Sequence, residues 1–297
     1  MTLVFLANCM VDPLWVWPNR LGMTRKYAQE ERLSKTNYLV HAAPVFHNLV
    51  LGSSRASYLP VRHLGPGWFN YACMGMHPGE FVSYARMAQD HAKGGRLDTI
   101  LVGLDFWATR NSAIVVYDSL AVFVSKSNDM WGQALNYLSG YSFAKSLEMI
   151  RLNYWPKANT AYYLWPHLAK GRSPMPPALR ETAIRDQLWY YEQDVFGEGY
   201  VFDKGYFGPL QLLVEAFPHS KVIFYLSPVN PRLAAIIAKY NRGPCREKWL
   251  DGIRSLGADV IVPQQELFVD TMFFDAHHLK PWHFHLVFAQ GPIHLRH

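Results

Sequence analysis

Cysteine is scarce in this chain, with three in 297 residues, at positions 9, 73 and 245. They are too few and too far apart for a disulfide framework or a Cys-x-x-Cys metal site. Charge is sparse as well: 18% of residues are Asp, Glu, Lys or Arg against 50% hydrophobic ones, which excludes disorder and a coiled coil as the main architecture. The net charge is +6, yet no Lys/Arg run stands out, so no nucleic acid is expected among the partners. No internal repeat, low-complexity tract or Pro/Gly/Ser-rich linker divides the chain. The apolar start, residues 1–10 (MTLVFLANCM), is about half the ~20 residues that a bilayer-spanning helix needs. It has neither a basic n-region nor a small-x-small cleavage site. Two readings stay open for it: the end of a membrane anchor with Trp15 and Trp17 at the interface, or a buried first strand or helix.

What the chain has in abundance is aromatic: 17 Tyr, 17 Phe and 10 Trp, enough for some rings to face a cleft or partner. Trp68, Trp107 and Trp131 are candidates for lining a sugar cleft, although core packing is the ordinary use of a single ring. Residues 1–40 read as an N-terminal lead-in, whose polar part from residue 19 onward (Arg20, Arg25, Lys26, Glu30, Glu31, Arg32, Lys35) suggests a solvated stretch with some helix. Short apolar runs at 47–52 (HNLVLG), 99–103 (TILVG), 221–226 (KVIFYL) and 259–262 (DVIV) predict buried strands. Helical patterns cover 80–92, 131–154, 177–192, 210–217 and 245–256. Alternating strands and helices imply a mostly parallel sheet covered on both faces, an α/β fold of flavodoxin-like three-layer type spanning 41–297, with a helical insertion over about 112–205.

In such sheets ligands bind beyond the carboxyl ends of the strands. Ser53, Ser54 and Arg55 follow the first predicted strand, Asp105 the second, and residues 227–230 the third; Asp275, His277 and His278 sit in a polar cluster near the C-terminus. A serine hydroxyl needs an adjacent base to attack a carbonyl, and the base needs a carboxylate to fix its tautomer. Asp275 lies three residues before His278, within reach inside one turn.

At these residues the chain resembles the SGNH/GDSL hydrolases. Residues 49–55 (LVLGSSR) look like the block that delivers the nucleophilic serine, 69–75 (FNYACMG) like the block whose glycine N–H serves the oxyanion, and Asp275-x-x-His278 like the final DxxH. The resemblance implies Ser54 as nucleophile, His278 as base, Asp275 as its orienter, and the Ser54 and Gly75 N–H groups as an oxyanion hole. One block departs from the pattern. Where the family has Gly-x-Asn-Asp this chain has Gly103-Leu104-Asp105-Phe106, and an ionised aspartate cannot donate. Asn70, Asn111 and Arg110 are candidates for the missing donor. Asp105 itself is expected to accept loop N–H groups or to pair with a base such as Arg110, in which case an Asp105→Asn chain should fold.

The GSSR form, the late DxxH and the Val11-Asp12-Pro13 lead-in are similar to a divergent bacterial envelope branch linked to polysaccharide O-acetylation and D-alanyl transfer. That similarity implies an esterase or acyltransferase acting outside the cytoplasm, in the periplasm or cell envelope, on an acylated carbohydrate or acyl donor, with a membrane protein of an export or acylation system as partner. A catalytically silent glycan-binding or assembly subunit is the rival. Arg55 has two readings, contact with an anionic substrate group or pairing with a carboxylate. His277, His278, His283 and His285 raise a metal reading, but the His-x-x-x-His spacing of a helical zinc site is absent. No metal and no cofactor are therefore expected.

Overall fold

The computed structural model describes residues 2–17, 21–28, 30–111, 118–157, 159–164 and 168–289. Among these residues eight strands occur in chain order: β1 Arg25–Lys26, β2 Asn48–Gly52, β3 Trp68–Asn70, β4 Thr99–Leu104, β5 Ala161–Leu164, β6 Ala169–Arg172, β7 Lys221–Leu226 and β8 Asp259–Ile261. Five of them form a wholly parallel sheet in the order β3-β2-β4-β7-β8. Counted within that sheet the order is 2-1-3-4-5, the flavodoxin-like arrangement, whose crevice opens where the first and third strands diverge. Here those are β2 and β4. The α/β class and three-layer architecture hold, and the four predicted strands fall where the apolar runs lie.

Alternation along each strand divides the core in two. Leu49, Leu51, Ile100, Val102, Val222 and Phe224 face helices that include Phe81–His91, Phe207–Ala216 and Gly243–Arg254. Val50, Leu101, Ile223 and Tyr225 face Tyr58, Phe273, Phe274 and the closing segment around Phe284–Phe288. At the carboxyl ends Gly52 and Gly103 are paired in register. Gly52 has φ +134°, and a Cβ there would lie 2.7 Å from the Gly103 carbonyl oxygen. Only glycine lets the two strand ends and the following turn close up at this point.

The predicted helix over 131–154 is two helices, Met130–Leu138 and Gly140–Tyr154, because Ser139 breaks the run and caps the second by accepting from Ser142 N at 3.1 Å. The insertion also holds the β5–β6 hairpin, which pairs with β1 in a separate antiparallel sheet. Its ends meet where Asn111 N donates to Val201 O and Asp203 N to Thr109 O.

One expectation for the N-terminal part needs correction. The stretch after residue 19 is not a solvated lead-in throughout: helix Glu31–Ala42 runs into the core with Arg32 and Lys35 buried. Residues 2–11 form a helix, buried on one side only. Its Asn8 donates to Tyr137 O at 2.8 Å and accepts from Ser146 Oγ at 2.7 Å, while Leu3, Leu6 and Met10 are exposed. Among the described residues no helix is long and apolar enough to cross a membrane. Trp68 is buried, Trp107 half-buried and Trp131 exposed.

Candidate active site

The site is assembled where β2 ends. Ser53 is the N-cap of the short helix Ser54–Ser57: its Oγ accepts from Arg55 N at 3.2 Å and donates to Asp105 Oδ2. Capping by Ser53 leaves the Ser54 hydroxyl free, and it meets His278 Nε2 at 2.9 Å. His278 Nδ1 lies 2.8 Å from Asp275 Oδ2. The structure thus brings Ser54, His278 and Asp275 into one hydrogen-bonded line at the carboxyl edge of the sheet, across 224 residues of chain from Ser54 to His278.

Asp275 is fully buried and fully subscribed. Its Oδ1 accepts from His277 N at 3.1 Å and His278 N at 2.9 Å, and its Oδ2 accepts from Arg172 Nη1 at 2.9 Å as well as from His278. Burial alone would raise its pKa, but His278, His277 and Arg172 together hold the carboxyl well below its ordinary range. An ionised Asp275 accepts only, so His278 Nδ1 carries the proton and Nε2 is bare toward Ser54. Burial lowers the His278 pKa, against the opposing pull of Asp275, which keeps the ring neutral and ready to take a proton.

Gly75 lies in the turn that follows β3, the strand paired with β2. Cys73 N donates to Gly52 O at 3.0 Å, extending the β2–β3 pairing past the last strand residue, and Met76 N donates to Cys73 O at 3.0 Å to close a turn. Gly75 sits in that turn at φ +62°, the left-handed position that favours glycine. Among the described residues neither Ser54 N nor Gly75 N donates to a protein acceptor. The turn is clamped from helix Glu31–Ala42, since Met74 N donates to Glu31 Oε2 at 2.8 Å and Arg32 Nη1 to Met74 O at 2.8 Å.

The other candidates have different work. Asn70 spends its amide on the carbonyls of Ala56, Ser57 and Leu59 and accepts from Ala72 N at 3.1 Å, so it holds the helix after Ser54 and has no donor left for an oxyanion. Asn111 is exposed, and Arg110 contributes to the join with Phe202; among the described residues no hydrogen bond or ion pair ties either side chain to the triad. Asp105 accepts from Ser53 and pairs with Arg55 at 3.5 Å, not with Arg110 and not with loop N–H groups. Arg55, buried and also donating to Tyr191 Oη at 3.1 Å, takes the carboxylate-pairing reading.

That pairing removes the basis for expecting Asp105→Asn to be harmless. Neutralising the partner of a buried guanidinium typically costs about 3–5 kcal/mol. The Asp105→Asn chain should therefore unfold at a clearly lower urea midpoint than the parent, and an unchanged midpoint would show that Arg55 does not depend on it.

Of the supporting residues, Arg172 carries no signal in its own neighbourhood of the sequence, whereas Asn230 closes the run after the third predicted strand and His277 sits in the predicted polar cluster. Arg172 arrives from the β6 hairpin. Asn230 caps helix Pro231–Lys239 and donates to Asp270 Oδ1 at 2.8 Å and to Asp275 O at 3.4 Å, holding the DxxH loop in place. The His277 ring packs on the His278 ring with centroids 3.9 Å apart, and burial and that neighbour keep it well below the usual histidine range.

Asp275, His277 and His278 place potential ligand atoms within 4.8 Å of one another. The fit to a cation is poor, because all four hydrogen bonds to Asp275 and the Ser54 contact of His278 would compete with it. His283 and His285 stand outside that group.

No family model matches this sequence, and no curated protein does. Among solved structures, one from Streptococcus pneumonia, provisionally named a platelet activating factor, is similar at 12% identity, with a TM-score of 0.41, over 97% of this chain and 95% of that one. A likeness that faint adds nothing to the reading of the site, which stands on the geometry above.

Proposed function

We propose that this chain is a serine esterase or O-acyltransferase of SGNH/GDSL type that acts on an acylated carbohydrate of the cell envelope. The observation that carries the reading is the hydrogen-bonded line from Ser54 through His278 to Asp275 at the sheet's switch point. Ser54 Oγ attacks the ester carbonyl carbon while His278 Nε2 takes its proton. The tetrahedral oxyanion is met by the Ser54 and Gly75 N–H groups. As the C–O bond to the alcohol breaks, His278 returns the proton to the leaving oxygen and leaves an acyl-serine. Water or a sugar hydroxyl then attacks that ester with the same base, so hydrolysis and transfer share one intermediate.

The carbohydrate, the extracytoplasmic site and a membrane partner rest on the resemblance of the GSSR, DxxH and Val11-Asp12-Pro13 segments to the envelope branch. The silent-subunit reading draws on one observation: Asp105 occupies the family's donor position and is committed to Arg55 and Ser53. Loss of one oxyanion donor typically costs about 10²–10³ in rate, which slows an enzyme without abolishing it.

Hydrolysis of a generic acetyl ester, followed against pH, separates the two. The base must be neutral, and burial lowers the His278 pKa. The rising limb of kcat/KM should therefore lie below the ordinary histidine value of about 6.5. A limb above it would contradict the assigned base, and no turnover above background would favour the silent subunit.

A further inference from the structure

Among the described residues three cations flank the triad, and two of them are committed. Arg55 is paired with Asp105 and Arg172 with Asp275. The third is Lys170. Residues 170 and 172 lie on one face of β6 by the two-residue period of a strand, and both reach the same ring: Lys170 Nζ is 5.6 Å and Arg172 Cζ 5.8 Å from the Tyr58 centroid. Tyr58 in turn lies 5.0 Å from the His278 ring. Lys170 Nζ also stands 5.7 Å from the Tyr163 ring, so its half-buried ammonium is held over two phenols one ring away from the base.

Among the described residues no carboxylate oxygen lies within 4.0 Å of that ammonium, and the residues outside that set include no Asp or Glu. The neighbouring acids are taken. Glu31 is bound by Lys35 at 3.3 Å, by Ser57 Oγ at 3.1 Å and by Met74 N at 2.8 Å, and Asp275 carries four hydrogen bonds. The influence of Lys170 nevertheless extends to both Glu31 and His278, lowering each pKa. A cation fixed on a paired hairpin and placed over aromatic faces, with no carboxylate at ion-pair distance, is preorganised for an anion supplied by a ligand.

We propose that Lys170 is a specificity residue that pairs with an anionic group, a carboxylate, phosphate or sulfate, on the ester whose carbonyl meets Ser54. The inference rests on the serine-ester reading above. It narrows the substrate to an anionic ester and gives the β5–β6 hairpin a role in recognition.

The test compares esters that differ only in charge: 4-acetoxybenzoate with its methyl ester, which places the anion on the alcohol side, and phenyl hydrogen adipate with its methyl ester, which places it on the acyl side. At low ionic strength, and at a pH where His278 is already neutral, Lys170→Gln should lower the charged-to-neutral ratio of kcat/KM about tenfold for one pair and leave it unchanged for the other. Lys170→Arg should retain the preference. The pair that responds identifies the side carrying the anion. Equal effects on charged and neutral esters, or no effect on either, would overturn the proposal.

A second readout needs no turnover. In Ser54→Ala, benzoate titrated at constant ionic strength should shift the His278 ring resonances with saturation, and the added Lys170→Gln change should abolish that shift. A protein that hydrolyses no ester yet shows the Lys170-dependent shift keeps its anion site and loses the esterase reading. A shift indifferent to Lys170 rejects the site itself.

Discussion

A Ser54→Ala chain is expected to fold as its parent does and to lose acetyl-ester hydrolysis by about 10⁶-fold, the scale seen when a triad serine is removed. The two halves of that expectation come from the division of labour between adjacent serines. Among the described residues Ser54 Oγ makes one hydrogen bond, with His278 Nε2 at 2.9 Å, and removing a single half-buried hydrogen bond typically costs about 1 kcal/mol. Ser53 caps the helix and binds Asp105, so the structural burden falls on it. Circular dichroism and a urea midpoint near that of the parent, together with turnover at background, is the predicted outcome. A Ser54→Ala chain that still hydrolyses at the parental rate would remove Ser54 from the chemistry.

Asp275→Asn should be nearly as damaging, with kcat lower by about 10⁴. The backbone donors of His277 and His278 can still bind Oδ1 of an asparagine, so the loop has reason to stay. The side-chain Nδ2, however, would face two donors, Arg172 Nη1 and His278 Nδ1–H, where Oδ2 accepts from both. Relief comes from the other imidazole tautomer, with Nδ1 bare and Nε2 protonated, and that ring cannot take a proton from Ser54. The loss should fall on kcat with KM little changed, and the histidine tautomer can be read from its ring ¹⁵N shifts. An Asp275→Asn enzyme with parental kcat would show that the carboxylate does not set the tautomer.

The central strands were legible because strands buried on both faces read as unbroken apolar runs, as in 99–104 and 221–226. β3 was not, being three residues (WFN) directly after Gly65-Pro66-Gly67. The β5–β6 hairpin is illegible for a different reason: AKGR has no apolar alternation, and its buried positions are Ala169 and Gly171. Ser54, Asp275 and His278 could be proposed because each sits in a local motif just past a strand or inside one turn. Arg172 and Lys170 could not, since nothing near them in sequence says that a hairpin about 100 residues from the DxxH turn folds against it. The charges of helix Glu31–Ala42 misled in the opposite direction. Glu31, Arg32 and Lys35 look solvated, and their burial becomes intelligible only when the Met74–Gly75 turn they clamp is in place.

The most direct measurement of the central claim, covalent chemistry at Ser54, is labelling with a fluorophosphonate followed by peptide mass spectrometry. The account predicts one phosphonylated residue, Ser54, in the parent and in Lys170→Gln, with strongly slowed labelling in His278→Ala and none in Ser54→Ala. A folded parent that takes no label where a known serine esterase does, or one labelled at a serine other than Ser54, would contradict it.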